Sequence, residues 1–321
     1  MNDQTPRKYR GTLLERAAAQ FHYAPTGAVA PAPAPAHRAP VAPMPAYEPE
    51  GPALRRGGPE HDSVSIAVPR AEGRRTAPID RTALRAGGMI VPGSAITPLA
   101  EEFRMVKRQL LLTARAVAAK DDAKAADRAR MVLVCSANPD EGKTFCAINL
   151  ALSMAAEKDV EILLVDADIA KPDILERLGI PSGPGLLDAL SGAVASVEDC
   201  IIDTDVPQLS VLPAGAKSNS DTELLASDRA RAILDGLASA NPRRIVIFDS
   251  PPALAASPAS VLALHVGQVL VVVRADQTSE GDLKAAVNSL DGCEHIQLVL
   301  NSVSFQPGGR RFGSYYEEAG K

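Results

Sequence analysis

The sequence predicts an α/β protein built on a doubly wound, mainly parallel sheet, and three observations carry that reading. Six short apolar runs, Val132 to Cys135, Ile162 to Val165, Ser210 to Leu212, Ile245 to Phe248, Val269 to Val273 and Ile296 to Leu300, are mostly separated by helix-like stretches. Buried parallel strands read as near-continuous apolar runs of this kind. The first run leads into a turn, Ser136 to Thr144, that ends Gly-Lys-Thr and opens a helix-like segment near Lys143. The second and fourth runs end in aspartates, Asp166 with Asp168 and Asp249, on the carboxyl edge where open α/β sheets bind ligands.

The chain before these runs divides in two. Residues 1–92 read as a disordered tail, because Ala, Pro, Arg and Gly dominate, as in Ala30 to Pro45, and few large apolar groups offset the entropy of ordering. Up to residue 90 there are twelve Lys and Arg against eight Asp and Glu, a surplus of +4 that leaves −9 for the rest of a chain whose total is −5. The tail reads as a solvated spacer, with contact to an anionic membrane as the alternative, and no nucleic-acid partner is expected. A folded domain follows over 93–308. It begins with a helix over Pro98 to Ala119, capped by Thr97, that turns Leu99, Phe103, Val106, Leu110 and Val117 toward one side. Residues 309–321 form a flexible carboxyl-terminal tail. The polar start, Met1 to Arg10, is no signal peptide, and the longest apolar stretch, Val261 to Val273, is too short to span a bilayer. Cys135, Cys146, Cys200 and Cys293 lack metal-ligand spacing and are expected as reduced core residues of a cytoplasmic protein.

The Gly142-Lys143-Thr144 ending matches a loop whose backbone amides surround a β-phosphate, whose lysine reaches the β- and γ-phosphates and whose hydroxyl meets Mg²⁺. A strand-end aspartate beside such a loop holds the metal, usually through water. Strand-end aspartates also serve as caps and turn formers, but three motifs in the order loop, Asp-x-Asp and Asp-Ser-Pro-Pro point to a nucleotide hydrolase or phosphotransferase.

Ser136 to Asn149, Leu163 to Pro172 and Val246 to Pro252 resemble the three Walker motifs of bacterial protein-tyrosine kinases, the P-loop autokinases of exopolysaccharide and capsule export. The similarity extends through Gly185 to Asp188, Leu212 to Gly215 and Thr222 to Leu225, and covers about residues 97–321. It implies a P-loop NTPase of the deviant-Walker type that uses ATP and Mg²⁺. Ala137, Asn138, Pro139, Asp140, Glu141, Gly142, Lys143, Thr144 and Phe145 would hold the nucleotide. Thr144, Asp166 and Asp249 would serve the metal, and Lys143, Asp166 and Asp168 the chemistry. One of the two Asp-x-Asp carboxylates would orient and deprotonate a tyrosine hydroxyl whose free pKa is about 10. Asn301 resembles an adenine-contacting asparagine, or else is a strand-ending turn residue. The chain departs from the pattern at Ala137 (usually glycine), Asp140 (usually small) and Ala170 (usually arginine). Asn138 occupies the place of an extra lysine found in the related partitioning and septum-positioning ATPases.

All five tyrosines lie outside the predicted core, at Tyr9, Tyr23, Tyr47, Tyr315 and Tyr316. Gly308 to Ser314 supplies flexibility before the last pair, so Tyr315 and Tyr316 are the expected phosphoacceptors. Glu101, Arg104 and Lys107 resemble the family's oligomerisation helix and imply a ring of copies. The intrahelical alternative is a solvated charged face. The resemblance further implies a membrane-embedded polysaccharide co-polymerase as activator, a cognate tyrosine phosphatase, and a cytoplasmic protein recruited to the inner membrane. Two other functions remain open at this point: a positioning-type ATPase without a protein acceptor, and a catalytically weak scaffold.

Overall fold

The computed structural model describes residues 73–120, 122–217 and 221–303, all within one compact unit that begins at Ser65. Tyr9, Tyr23, Tyr47, Tyr315 and Tyr316, with the whole 309–321 tail, lie outside the described residues.

Eight strands form one sheet. In chain order they are β1 (Arg75–Ala77), β2 (Met131–Ser136), β3 (Glu161–Asp166), β4 (Ile202–Thr204), β5 (Leu209–Leu212), β6 (Arg244–Asp249), β7 (Gln268–Arg274) and β8 (Ile296–Asn301). Across the sheet they run β1-β4-β5-β3-β6-β2-β7-β8. All neighbours are parallel except β4 and β5. The six strands expected from the apolar runs are all present. Two three-residue strands, β1 and β4, were not foreseen, because neither is long enough to show as an apolar run.

The helices are α1 (Arg81–Ala86), α2 (Pro98–Ala118), α3 (Ala123–Ala129), α4 (Lys143–Met154), α5 (Ile174–Leu178), α6 (Leu186–Ser191), α7 (Asp221–Leu225), α8 (Asp228–Ser239), α9 (Pro258–Ala263) and α10 (Glu280–Ser289). They cover both faces. On β2, Val132 and Val134 join a core with Phe103 and Leu110 of α2 and Ile148 and Leu150 of α4. The alternate residues Met131, Leu133 and Cys135 join a second core with Leu234 and Leu237 of α8 and Leu262 of α9. Successive side chains point to opposite faces, so a strand apolar at every position serves two cores at once. All four cysteines are free and buried, and burial pushes the thiols of Cys135 and Cys146 up to about 12. Among the described residues no helix is long and apolar enough to cross a membrane.

The boundary expected at residue 92 is corrected. Residues 73–92 are folded, with Ile79, Leu84 and Met89 buried in the first core. Composition averaged over the Ala/Pro-rich tail concealed these three apolar residues and the Asp80 cap, whose carboxylate accepts the Thr82 and Ala83 N–H groups at 2.7 and 3.1 Å. Further along, the Ile90 N–H donates to Asn149 Oδ1 on α4 at 2.7 Å.

Helix α2 starts at Pro98 with the Thr97 hydroxyl accepting from the Ala100 N–H, as the sequence leads one to expect. Its charged register differs from the expected single outward face. Arg104 pairs with Glu101 on the surface, whereas Lys107 is buried and its Nζ donates to Glu157 Oε1 at 2.6 Å and to the Ser153 carbonyl at 3.2 Å. Residue 107 lies on the same side as Phe103 and Leu110, and the lysine stem follows that apolar face to reach the end of α4.

A charge network fastens the β1 edge. Glu198 accepts two bonds from Arg244, at 2.5 and 2.9 Å, and another from Arg74, the residue before β1. Burial opposes the Glu198 charge, but the two guanidiniums prevail and hold its carboxyl below the usual value. Glu198→Ala would leave the buried Arg244 unpaired, and we expect a loss on the order of 2–3 kcal/mol in urea unfolding at pH 7. Because the folded pKa is depressed, the contribution is present above the unfolded pKa and disappears as pH falls through the folded one. The difference between wild type and variant should therefore shrink in acid.

Candidate active site

The carboxyl ends of β2, β3 and β6 meet at one place. After β2 the chain turns through Ala137 to Gly142, and α4 begins at Lys143 with no side-chain cap. The free N–H groups of that first turn make the amino end of α4 an anion-binding position. Gly142 is demanded twice over: its φ is +95°, and a Cβ there would lie 2.1 Å from Asn301 Nδ2. Ala137, at the place of the leading glycine, is fully buried, and its carbonyl accepts from the Leu254 N–H at 3.2 Å. Asp140 also adopts a left-handed conformation, φ 62°, and is exposed, so the extra carboxylate is not buried in the loop.

The outer arm of the loop is braced from the β7 and β8 side. The Glu141 carboxylate is buried; one oxygen accepts from the Asn138 N–H at 3.0 Å and the other from the Thr278 hydroxyl at 2.5 Å. Asn138 Nδ2 donates to Asp282 at 3.2 Å, Arg274 Nη1 to the Asp140 carbonyl at 2.9 Å, and Asn301 Nδ2 to the Glu141 carbonyl at 2.9 Å. Glu141 and Asn301 thus use their side chains on the loop itself. Arg274, Thr278 and Asp282 carry no motif, and only the fold assembles them here. Pro139 is exposed at the loop's tip, and Phe145 packs on the first core, leaving its backbone to face the loop.

Beneath the loop sit one cation and three carboxylates. Strand register sets Asp166 beside Asp249. Lys143 Nζ bonds Asp168 Oδ2 at 2.5 Å, and the other Asp168 oxygen accepts from the Lys171 N–H at 3.1 Å. Asp166 Oδ2 accepts the Asp173 and Ile174 N–H groups, both at 3.1 Å, and so caps α5, while its Oδ1 is buried without a partner. Asp249 is fully buried, and neither of its oxygens makes a hydrogen bond of standard geometry, although the Thr144 hydroxyl lies near enough to favour its charged form.

Burial pushes the Asp249 carboxyl up to about 7, with Asp166 and Asp168 adding to the rise and Lys143 and Thr144 opposing it. Asp166 is raised to about 6, again chiefly by burial. Burial works against the Lys143 ammonium, yet Asp249, Asp168 and Asp166 together raise its pKa. Three buried carboxylate oxygens without a hydrogen bond of standard geometry, beside a free helix terminus, leave a site short of positive charge and ready for a metal-chelated anion. Lys143, Thr144, Asp166, Asp168 and Asp249 are brought together at this corner.

A Gly-Lys-Thr turn from strand to helix, bordered by aspartates at the ends of two neighbouring parallel strands, defines a P-loop protein of the α/β class. A profile of the AAA domain family matches residues 131–300, more than half of the chain, and the chain belongs to that family. Among the proteins similar to this chain are bacterial tyrosine-protein kinases of the kind the motifs resemble. The putative tyrosine-protein kinase EpsB of Ralstonia nicotianae is 30% identical over 186 residues, which are 57% of this chain and 24% of EpsB. The chain therefore spans about a quarter of that relative's length. CapB of Staphylococcus aureus, also a putative tyrosine-protein kinase, is 24% identical over 222 residues, 68% of this chain and 91% of CapB. Among solved structures, the VpsO kinase domain is 32% identical with a TM-score of 0.50, covering 62% of this chain and 98% of that one. The kinase domain of the Escherichia coli tyrosine kinase ETK shares the fold, with a TM-score of 0.56, 23% identity and coverage of 75% and 89%.

The raised carboxylates give a pH signature. A carboxyl whose folded pKa lies above its unfolded value stabilises the protein at low pH, and the stability is lost as pH rises through the folded pKa. For Asp249 the window runs from about 4 to about 7. His265, whose pKa burial lowers, acts in the opposite direction, so the comparison with a variant isolates the effect. Asp249→Asn should raise the melting temperature of the ligand-free protein by about 3–6 °C at pH 8 and change it little at pH 4.5, read by differential scanning fluorimetry.

Proposed function

We propose that this protein is an ATP-dependent protein-tyrosine autokinase that regulates exopolysaccharide polymerisation or export, transferring the γ-phosphoryl group of ATP to Tyr315 and Tyr316 in trans. The observation that carries this reading is the buried quartet Lys143, Asp166, Asp168 and Asp249 with three unpartnered carboxylate oxygens at the open end of α4.

That donor set fits a hard divalent cation, and Asp166 Oδ1, Asp249 and Thr144 would hold magnesium directly or through water. Magnesium, when bound with the nucleotide, supplies positive charge to the transferring phosphoryl group. Residues 137–145 would wrap the phosphates through backbone N–H groups. Lys143 would exchange Asp168 for the β- and γ-phosphates, leaving Asp168 with the Lys171 N–H alone. Asp168 is then the freer of the two bases: Asp166 is committed to capping α5. The tyrosine Oη attacks the γ-phosphorus, its proton passes to Asp168, and ADP leaves.

The relatives' names support a tyrosine-protein kinase, and the polysaccharide system is what the motif resemblance implies. What the motif resemblance implies completes the reading: an activating membrane-embedded co-polymerase and an opposing tyrosine phosphatase would be the partners, with recruitment to the inner membrane through the former. A ring of copies would use the outward Glu101 and Arg104 of α2, with Lys107 fixing that helix to α4 rather than meeting a neighbour.

Incubation of the full chain with labelled Mg·ATP tests the proposal. Phosphate should map by mass spectrometry to Tyr315 or Tyr316 and fall at least about a hundredfold in Lys143→Met, which removes a charge aimed at the transition state. Phosphate release without protein label would assign an ATPase instead. Tyr315→Phe with Tyr316→Phe should abolish labelling while ATP affinity is unchanged.

A further inference from the structure

Beside the quartet lies a cavity of about 610 Å³ that the nucleotide reading leaves unused. Its walls come from three carboxyl-edge segments: Ile169 and Ala170 after β3, Pro251, Ala256, Ser257 and Pro258 after β6, and Lys217 with Asp221 and Thr222 before and within α7. It begins one residue beyond Asp168 and two beyond Asp249, so whatever fills it stands beside the carboxylate corner. Ile169, Ala256 and the two prolines give it a rigid apolar wall, suited to an aromatic ring with a polar tip.

Two charged residues line it, the buried Asp221, which has an interaction of its own, and the exposed Lys217. Ala170 contributes no charge, but Lys217 reaches across and donates from Nζ to the Ala170 carbonyl at 2.8 Å. A lysine carries three donors and this bond uses one, so an exposed ammonium remains at the mouth, with exposed Lys171 next in sequence to Ala170. The expected acceptor sequence is polar in a definite order: Arg310-Arg311 precede Tyr315-Tyr316, and Glu317-Glu318 follow at once.

We infer that Lys217 is a specificity-determining residue: the cavity takes the ring of Tyr315 or Tyr316, and the Lys217 ammonium selects the acidic residues that follow the tyrosine, fixing the direction in which the segment enters. This rests on the kinase reading above and names which tyrosine sequences its site accepts. The occupant is the Tyr315–Glu318 segment. An attraction between partly exposed charges changes binding modestly and is weakened by salt.

The test uses the full chain with labelled Mg·ATP and compares wild type, Lys217→Glu, Glu317→Lys with Glu318→Lys, and the combination of all three, with ATP affinity measured for each by calorimetry. The expected result is a fall of about five- to tenfold in the rate of Tyr315 and Tyr316 labelling for either charge reversal, recovery in the combination, and unchanged ATP affinity. The difference between wild type and Lys217→Glu should narrow as salt is raised. Labelling of Lys217→Glu at the wild-type rate, or no recovery in the combined variant, overturns the inference and leaves the kinase reading intact. A wild-type protein that binds ATP but never labels a tyrosine overturns both.

Discussion

Everything at the carboxyl edge turns on one electrostatic imbalance: a single lysine, Lys143, shares a buried corner with three aspartates, and Asp249 among them has no full partner. Burying a carboxylate that way is unfavourable unless a cation answers it. The fold tolerates it because the surroundings leave no room to relax. Asp249 ends a strand flanked on both sides by parallel neighbours, β2 and β3, and Asp166 is tied to two backbone N–H groups. Rigid strands thus hold these groups in a dry corner, and burial first, with the neighbouring carboxylates after it, raises the pKa values of Asp166 and Asp249. Sites of this kind are commonly where chemistry is done.

The loop above the corner is held more firmly than its motif implies. Four contacts from the β7 and β8 side, through Arg274, Thr278, Asp282 and Asn301, fix the arm from Asn138 to Glu141. Glu141, whose identity in a phosphate loop looks unhelpful because it brings negative charge, is spent inward on the loop's own N–H and on Thr278. Backbone N–H groups, not acidic side chains, are what the loop offers to an anion.

Much of this was legible in the sequence, for a physical reason. Strands buried on both faces must be apolar throughout, so β2, β3, β5, β6 and β7 announce themselves, β8 shows as an apolar run although Leu298 and Leu300 are exposed at the sheet's edge, and the residues that end these strands fall on one edge. Lys143, Thr144, Asp166, Asp168 and Asp249 were legible because local turns and strand ends place them. What escaped detection depends on distant partners. β1 and β4 are three residues each and are specified by pairing and by the Arg74–Glu198–Arg244 network. Lys107 looks like a surface charge until Glu157 on the far side of α4 is seen to receive it. Lys217 bears no motif at all and matters only because the fold sets its head against Ala170.

Strand order and chain order run against each other at one edge. β1, the earliest strand among the described residues, pairs with β4, roughly 125 residues downstream, and with no other strand. A chain emerging from the ribosome therefore carries residues 75–77 without a partner until nearly two-thirds of its length has been made. The sheet cannot close on that side until β4 has been made, and until then residues 75–77 stand open to pairing with any passing extended segment.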